Sequence, residues 1–230
     1  MVPPELHHLF GGPTTGPAPA SCEGFALVRL DAAAFRPLQR TAELAALVDA
    51  LGVDSARAQG LGAPVTAFAK LRLSNDRVYV AVHQPAAEAA APEPANSGGA
   101  PSRMAVGLLK VGEKDLFHWS RDGTLRELRQ QRCVLDFYVA EAFQRRGLGK
   151  ELFETMLAQE HCHPAALAYD RPSPKLLGFL AKHHALTKYV PQQNQFVLFD
   201  DGLTPPKRSA YDSVSMRPLT ARGAPATRNR

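Results

Sequence analysis

Cysteine is scarce in this chain: its 230 residues include only Cys22, Cys133 and Cys162. A small, odd number of cysteines does not form a disulfide framework and is typical of proteins in a reducing compartment. The first twenty residues lack Lys, Arg and any sustained apolar run, which argues against a secretory signal. No segment approaches the roughly 20 apolar residues that cross a bilayer. The sequence therefore predicts a cytoplasmic protein that is not inserted in a membrane.

Excess charge is also absent from most of the chain. Residues 1–202 contain 21 Lys and Arg against 21 Asp and Glu, whereas residues 203–230 contain six bases and one acid. The net charge of +5 therefore belongs to this tail. A basic tail of this kind is either a solvated, disordered end or an electrostatic tether for an acidic partner. Without a helix-turn-helix, zinc-finger or aromatic–basic pattern, it does not predict binding to nucleic acid.

The length suits a single domain with polar extensions. We expect a flexible N-terminal segment over residues 1–23, a folded domain over 24–202 and a disordered basic tail over 203–230. Inside the domain, residues 84–103 form a low-complexity loop whose repeated prolines exclude a helix.

Hydrophobic periodicity predicts a mixed α/β domain. A helix is expected over residues 41–59 with a break near Gly52, a second over 150–160, and a third that Ser173 caps and Pro174 begins. Residues 74–77 read as a hairpin turn, and 121–123 as another. The predicted strands are 24–30, 65–73, 78–83, 104–111, 116–119, 132–139, 165–169 and 195–199. Hairpins dominate the first half, and two β-α units in the second half imply parallel pairing.

A glycine-rich turn, Gln-Arg-Arg-Gly-Leu-Gly over residues 144–149, joins the strand at 132–139 to the following helix. Backbone N–H groups at a helix start lack partners, and the helix dipole favours an anion there. Gly147 and Gly149 have no Cβ, so a phosphate can approach the backbone closely. The spacing matches neither a P-loop nor a dinucleotide fingerprint. A pyrophosphate cradle and a tight packing turn are the alternatives.

Four separated segments carry a resemblance to a known family. Residues 134–139 and 144–149 resemble the "LDFYI…QRxGxG" segment of α-tubulin N-acetyltransferases, which belong to the GNAT superfamily. Residues 170–177 are similar to its "DRPSxKLL", residues 190–199 to its "VPQxNxFVIF", and residues 56–66 to its "AKAQxLSAPIT". The resemblance covers about residues 24–200. It implies a GNAT-like central mixed β-sheet flanked by helices in one domain.

The resemblance implies that acetyl-CoA is the co-substrate and that no metal is required. The pyrophosphate would lie on the amide groups of residues 145–149, and the pantetheine arm between two strands that splay apart near Val139 and Asp170. Ser173 and Lys175 resemble a second CoA-binding segment. The cofactor-binding residues expected on this basis are Phe137, Tyr138, Val139, Gln144, Arg145, Arg146, Gly147, Leu148, Gly149, Lys150, Ser173, Lys175 and Lys182.

Asp170, Gln59 and Cys133 correspond to functional positions of the family. Asp170 ends a predicted strand, where open α/β sheets place their sites, and would accept a proton from the lysine ammonium or orient that group. Gln59 would orient the substrate. Cys133 is either a proton-transfer group or a small core residue.

On the substrate side, we expect Asp136, Arg171, Lys70 and Lys114. Strand alternation predicts that Asp136 lies on the opposite face from Cys133, as a structural or substrate-side acid. The family's lysine-rich "KVGYKKLF" appears here with acids in it, and whether Glu113 changes substrate preference stays open. The His-Cys-His run at 161–163 lacks partners at metal-ligand spacing, so it predicts a loop.

These resemblances predict a protein lysine N-acetyltransferase. It would transfer acetyl directly, in a ternary complex, to a lumenal lysine of α-tubulin in microtubules. The implied setting is the cytoskeleton, including the axoneme of cilia or flagella, and the implied state is a monomer. The alternatives are a GNAT enzyme for another protein or small amine, and a non-catalytic microtubule-binding module.

Overall fold

The structure is a computed structural model that describes residues 25–32, 41–83 and 104–200. The predictions for the N-terminal segment 1–23, the loop 84–103 and the tail 203–230 lie outside the described residues. Helices α1 to α4 span Thr41–Gln59, Phe68–Arg72, Leu148–Glu160 and Pro174–His184. Strands β1 to β6 span Phe25–Leu30, Arg77–His83, Met104–Trp119, Leu125–Val139, Ala168–Asp170 and Phe196–Leu198.

The strands form one six-stranded sheet in the order β1-β2-β3-β4-β5-β6. Neighbours pair antiparallel except for β4 and β5, which are parallel. The crossover from β4 to β5 contains α3, as a parallel connection requires. The predicted mixed α/β sheet is confirmed. Parallel pairing is confirmed for the first β-α unit and wrong for the second, because β6 returns antiparallel to β5.

Helices cover both faces of the sheet. Helix α1 contributes Leu44, Val48 and Leu51 to a buried cluster with the apolar residues of β1 and β2. On the other face, α3 contributes Leu152, Phe153 and Met156 to a second cluster with β3, β4 and β5. Strand β2 is buried on both sides, which explains its continuous apolar sequence. Among the described helices, none combines the length and the apolar character needed to cross a bilayer.

The predicted strand at 65–73 is wrong, and so is the hairpin turn after it. Residues 68–72 form helix α2 instead. Its first turn is stabilised by α1, because the carboxylate of Asp49 accepts a hydrogen bond from the N–H of Phe68 at 2.8 Å. Leu71 is the residue of α2 that is buried. Apolar alternation predicted the wrong element here because the contact with Asp49 of α1 stabilises a helix at this position.

Two further predictions are corrected by the long hairpin of β3 and β4. The separate strands predicted at 104–111 and 116–119 are one strand, Met104–Trp119, with register shifts after Lys110 and Lys114. The predicted strand at 132–139 is the second half of β4, Leu125–Val139. The turn predicted at 121–123 is confirmed, and Gly123 supplies its positive φ of 77°.

The break predicted near Gly52 does not occur, since α1 is continuous from Thr41 to Gln59. Gly52 has a packing role instead. A Cβ placed on Gly52 would collide with the backbone carbonyl of Thr66, in the segment that connects α1 to α2. Glycine therefore lets the helix backbone lie directly against this connection.

We predict that Gly52→Ala lowers the free energy of unfolding by about 1–3 kcal/mol, because the added methyl must displace backbone rather than a flexible side chain. Chemical denaturation measures the change. Gly178→Ala is the matched control, since a Cβ at this helical glycine meets nothing within 4 Å. The control should raise stability by about 0.5–1 kcal/mol through helix propensity. Equal effects of the two substitutions would contradict this packing role.

Candidate active site

A gap opens between β4 and β5 soon after the two strands meet. Their parallel pairing is limited to Cys133 with Ala168 and Val134 with Tyr169. Strand β4 then continues to Val139, whereas β5 ends at Asp170. Within the part of the chain that the structure describes, the backbone of β4 beyond Val134 therefore has no strand partner on the β5 side, and the two strands splay apart as expected from the sequence.

A β-bulge beside this gap changes which side chains share a face. Lys110 pairs with Asp136 and Val111 with Val134, so Leu135 is the extra residue of β4. Val134 packs with the α3 cluster, which places Cys133 on the opposite face. Asp136 also faces away from α3, since it contacts residues of α1. The prediction that Cys133 and Asp136 lie on opposite faces is therefore wrong, because the bulge interrupts the two-residue alternation.

On this face, a pocket of about 450 Å³ lies next to the tip of β5. Its wall includes residues 61–65 of the connection between α1 and α2. The charged residues that line it are Lys70, Lys110, Lys114, Asp170 and Arg171. Lys110 is paired with Asp76 and Arg171 with Asp170. The excess positive charge therefore comes from Lys70 and Lys114, and it favours a ligand segment that carries negative charge. The sequence predicted Lys70, Lys114 and Arg171 for the substrate side, and the structure brings these three together.

Lys110 is a pocket residue that the sequence analysis missed. Its ammonium lies 2.9 Å from the carboxylate of Asp76, and both side chains are buried. The apolar sequence around Lys110 does not indicate its partner, because Asp76 lies much earlier in the chain, just before the start of β2. The one available signal was that a buried lysine almost always requires an acid.

Asp170 stands where the gap and the pocket meet, and it lines both. Its carboxylate accepts two hydrogen bonds from the guanidinium of Arg171, at 3.0 and 3.3 Å. Arg171 has a φ of 41°, and its N–H donates to the carbonyl of Gln195 at 3.1 Å. A non-glycine residue in this region costs free energy and is often found at functional sites. The pair places a carboxylate and a guanidinium at the end of β5.

Cys133 lies beneath the site rather than in it. Its side chain is fully buried, and the thiol donates to the carbonyl of Gln131 at 3.1 Å. Burial raises the pKa of this thiol to about 12, so it is neutral near pH 7. Of the two alternatives for Cys133, this environment favours the small core residue.

Gln59 and Asp136 are joined in one hydrogen-bonded cluster with two residues that the sequence did not indicate. The carboxylate of Asp136 accepts from Ser55 Oγ at 2.7 Å, from Gln59 Nε2 at 2.9 Å and from Thr66 Oγ1 at 2.6 Å. Gln59 Nε2 also donates to Ser55 Oγ at 2.8 Å. We call Ser55, Gln59, Thr66 and Asp136 the carboxylate cluster. The helical spacing of 55 and 59 was visible in the sequence, but the meeting with Asp136 was not.

The glycine turn lies at the start of α3, as predicted. Gly147 is the N-cap, with a φ of 86° and no side-chain capping bond. The side chains of Arg145, Arg146 and Lys150 are exposed around it. Gln144 points elsewhere, because its amide donates to the carbonyl of Val139 at 2.7 Å. The first N–H groups of α3 have no partner one turn earlier, so they are available to an anion.

Of the remaining predicted cofactor residues, Phe137 lines the gap, whereas the others pack in the core clusters beside it. Phe137 packs against Phe153 and Phe179, with ring centroids 6.0 and 5.6 Å apart. Leu148 is buried, so it offers only its backbone to a ligand. Val139 packs with the core cluster that contains Leu148, and Tyr138 packs on the face of α1.

Helix α4 begins at the gap, as the sequence indicated. Ser173 is its N-cap, and its hydroxyl accepts from the N–H of Leu176 at 3.2 Å. Lys175 is exposed in the first turn. Lys182 lies in the last turn, seven residues and roughly 10 Å further along the helix than Lys175 at 1.5 Å per residue. The structure therefore separates Lys182 from Ser173 and Lys175.

Glu113, one of the two acids in the segment that resembles the family's lysine-rich motif, lies on the opposite face of the sheet from the pocket. Its carboxylate accepts from Arg77 at 2.9 and 3.1 Å. The same guanidinium donates twice to Glu160 at the end of α3, at 2.7 Å each. Glu113 thus belongs to an ion network that ties α3 to the sheet. Lys114, the next residue, lines the pocket.

The His-Cys-His run does not gather metal ligands in the described part of the chain. No group of three or more His, Cys, Asp or Glu side chains converges within residues 25–32, 41–83 and 104–200. His163 instead caps a short 3₁₀ turn, where its Nδ1 accepts from the N–H of Ala165 at 3.3 Å.

A family profile described as "GNAT acetyltransferase, Mec-17" matches residues 26–218. The mixed sheet, the gap between β4 and β5 and the glycine turn at α3 agree with a GNAT acetyltransferase fold. Within that class, the chain belongs to the Mec-17 family.

Three relatives illustrate the similarity, and each is named alpha-tubulin N-acetyltransferase. The protein from Aedes aegypti is 43% identical over 163 residues, which cover 71% of this chain and 54% of the relative. The protein from Tetrahymena thermophila is 42% identical over 162 residues, covering 70% and 36%. The protein from Phytophthora infestans is 55% identical over 95 residues, covering 41% and 52%. The chain thus spans between about a third and about half of the length of these relatives.

We predict that the ion network of Glu160 makes the fold sensitive to acid. Burial would raise the pKa of Glu160, but hydrogen bonds from Arg77 and Tyr79 and the nearby positive charges outweigh it and hold the pKa below 4.5. Stability from such a group is present above its unfolded pKa and is lost as the pH falls through the folded pKa.

The wild type should therefore lose about 1 kcal/mol more free energy of unfolding than Glu160→Gln between about pH 6 and about pH 3. Denaturant titrations at several pH values measure the difference. Glu154→Gln, an exposed glutamate on the same helix, is the control and should follow the wild type. A parallel pH dependence for wild type and Glu160→Gln would rule out this contribution.

Proposed function

We propose that this protein transfers an acetyl group from acetyl-CoA to a lysine of α-tubulin, the loop lysine that faces the microtubule lumen. The observation that carries the proposal is the position of Asp170, between an open strand gap on one side and a cationic pocket on the other. Membership of a GNAT family supplies the reaction class. The names of the relatives point to tubulin.

Acetyl-CoA would bind along the gap. Its pyrophosphate fits the N-terminal amides of α3, where Gly147 and Gly149 leave room and Arg145, Arg146 and Lys150 add positive charge. The pantetheine arm would pair with the free edge of β4 over residues 135–139, as a strand added to a sheet does. Ser173 and Lys175 lie across the gap, at the start of α4.

The chemistry is a direct transfer. The neutral lysine amine attacks the thioester carbonyl, the carbon–sulfur bond breaks, and CoA leaves as a thiol after taking up a proton. A backbone N–H of β4 at the gap would stabilise the oxyanion that forms on the carbonyl oxygen. The buried, neutral thiol of Cys133 is not needed as a nucleophile.

Asp170 would bind the incoming ammonium and accept its proton, directly or through water. Arg171 occupies the carboxylate in the free protein, so the substrate lysine replaces this guanidinium when it enters. One cation is exchanged for another, which avoids leaving the carboxylate unpaired.

The pocket next to Asp170 suits a substrate segment with acidic residues beside the target lysine. Lys70 and Lys114 are exposed at its rim, and Lys110 is buried in its lining. A GNAT enzyme for a small amine would not require such a cationic wall. The pocket therefore favours a protein substrate over that alternative.

A substrate in microtubules implies that the protein acts in the cytoskeleton. We expect cilia and flagella as its setting and a monomer as its oligomeric state.

We predict that Gly149→Ala weakens acetyl-CoA binding about tenfold, since a methyl group in the first turn of α3 keeps the pyrophosphate from its amides. The fold itself accepts this methyl, whose nearest atom would be Phe137 Cζ at 3.5 Å. Isothermal titration calorimetry measures the affinity, and thermal melting of the free variant is the control. Unchanged affinity would place the pyrophosphate away from this turn.

We predict that Asp170→Asn lowers acetylation of microtubules by at least about 100-fold, because the amide cannot accept the proton of the lysine. Binding of acetyl-CoA should stay within about twofold of wild type, since the thioester does not depend on this proton acceptor. Radiolabelled acetyl-CoA with polymerised tubulin measures turnover.

The substrate control for this assay is tubulin in which the lumenal lysine is replaced by arginine. It should incorporate no label with the wild-type enzyme. Equal labelling of both tubulins would overturn the choice of lysine, and full turnover by Asp170→Asn would remove Asp170 from the mechanism.

A further inference from the structure

Asp136 borders the gap, but its carboxylate is already engaged by donors from the protein itself. Its side chain is buried, with a relative exposure of 5%. One of its oxygens accepts from Ser55 and Gln59, and the other accepts from Thr66. These donors come from the end of α1 and from the connection to α2. Asp136 therefore joins three parts of the chain at the floor of the site.

The geometry points to Asp136 as a positioning residue: we propose that it sets the orientation of the Gln59 amide and thereby aims the Gln59 carbonyl oxygen at the substrate. This inference rests on the proposed function, since it concerns the same site. It replaces the expectation that Asp136 contacts the substrate.

The orientation follows from what a carboxylate can do. A carboxylate only accepts hydrogen bonds, so the Gln59 side chain must present its NH₂ group to Asp136. Both hydrogen bonds of Gln59 indeed use Nε2. The carbonyl oxygen is left as the acceptor for a ligand. Gln59 lines the gap together with Asp170, Arg171 and Ser173, which is where the lysine and the thioester would meet.

The competing cation is held elsewhere. Lys110 is the strand partner of Asp136 in β3, and it would be the natural ion pair for this acid. Its ammonium is instead bound to Asp76 at 2.9 Å. Asp136 therefore satisfies its charge with two hydroxyls and one amide, and this demand is what holds Gln59 in one orientation.

Thr66 extends the same control to the pocket wall. Its hydroxyl donates to Asp136 at 2.6 Å, and its backbone carbonyl lies directly against Gly52 of α1. Residues 61–65, which form the wall of the pocket, immediately precede it. The carboxylate cluster thus ties the wall of the substrate pocket to the strand that borders the gap.

Reversing the polarity of the Gln59–Asp136 bond tests the proposal. Gln59→Glu places two carboxylates in contact, so we expect kcat on microtubules to fall about tenfold and the melting temperature to drop. Adding Asp136→Asn gives the pair an amide donor at 136 and an acceptor at 59. The Ser55 hydroxyl can turn to donate to the glutamate and accept from the asparagine, while Thr66 still donates to the asparagine oxygen.

The double variant Gln59→Glu/Asp136→Asn should therefore recover both kcat, to within about threefold of wild type, and the melting temperature. Asp136→Asn alone should change kcat less than about threefold, because the Thr66 hydroxyl can reverse to accept from the new amide. The charge control is Gln59→Glu/Asp54→Asn, which removes an outward-facing acid of α1 and should show no recovery.

Three outcomes would overturn the proposal. A double variant that regains its melting temperature but not its kcat would show that the cluster only stabilises the fold. A large loss of kcat in Asp136→Asn alone, with an unchanged melting temperature, would show that Asp136 contacts the substrate directly. A Gln59→Glu variant as active and stable as wild type would remove the bond altogether.

Failure of the proposed function can be distinguished from failure of this proposal. If the wild type does not acetylate tubulin, the proposed function is wrong. The hydrogen bonds of the carboxylate cluster are then tested by the melting temperature and by amide hydrogen exchange of residues 61–66. These residues should exchange faster in Thr66→Val than in wild type, because the valine cannot donate to Asp136. Unchanged exchange there would overturn the link between the cluster and the pocket wall.

Discussion

Strands β4 and β5 pair at two positions and then part, and the arrangement of the site depends on this separation. Among the described residues, the edge of β4 beyond Val134 is not paired with β5, and the short β5 ends with Asp170 at the mouth of the gap. The sheet tolerates the opening because helices α3 and α4 pack against the same apolar cluster beneath it. Phe137, Phe153 and Phe179 form the contact that spans from β4 to both helices.

Charged groups lie on both faces of the sheet, and the bulge at Leu135 brings Asp136 onto the face of the pocket. On one face, Asp136 and Asp170 line the gap beside the pocket with its lysines. On the other, Arg77, Glu113 and Glu160 neutralise one another at the end of α3. Glu113 therefore does not reduce the positive charge of the pocket. Two neighbouring residues of one strand, Glu113 and Lys114, lie in the ion network and in the pocket lining respectively, because successive side chains of a strand alternate.

Sequence patterns located the elements that rest on local chemistry. The Ser173-Pro174 start of α4 and the glycine turn at α3 were predicted because capping and positive φ depend on residues close in sequence. The strand expected at 65–73 failed because Asp49, nineteen residues earlier, caps a helix there. The break expected at Gly52 does not occur. This glycine is required by the close approach of the Thr66 backbone and does not interrupt the helix that contains it.

The sequence by itself determined the class of the protein: the order of its motifs, the strand-turn-helix for an anion and the residue types of the site are all local or recognisable by resemblance. Only the tertiary structure decided how these residues are used. It buried Cys133, gave Lys110 to Asp76, and surrounded Asp136 with donors from α1 and the connection after it. The physical reason is that hydrogen bonds and ion pairs join residues far apart in the chain, and a single extra residue in β4 changes which side chains can meet.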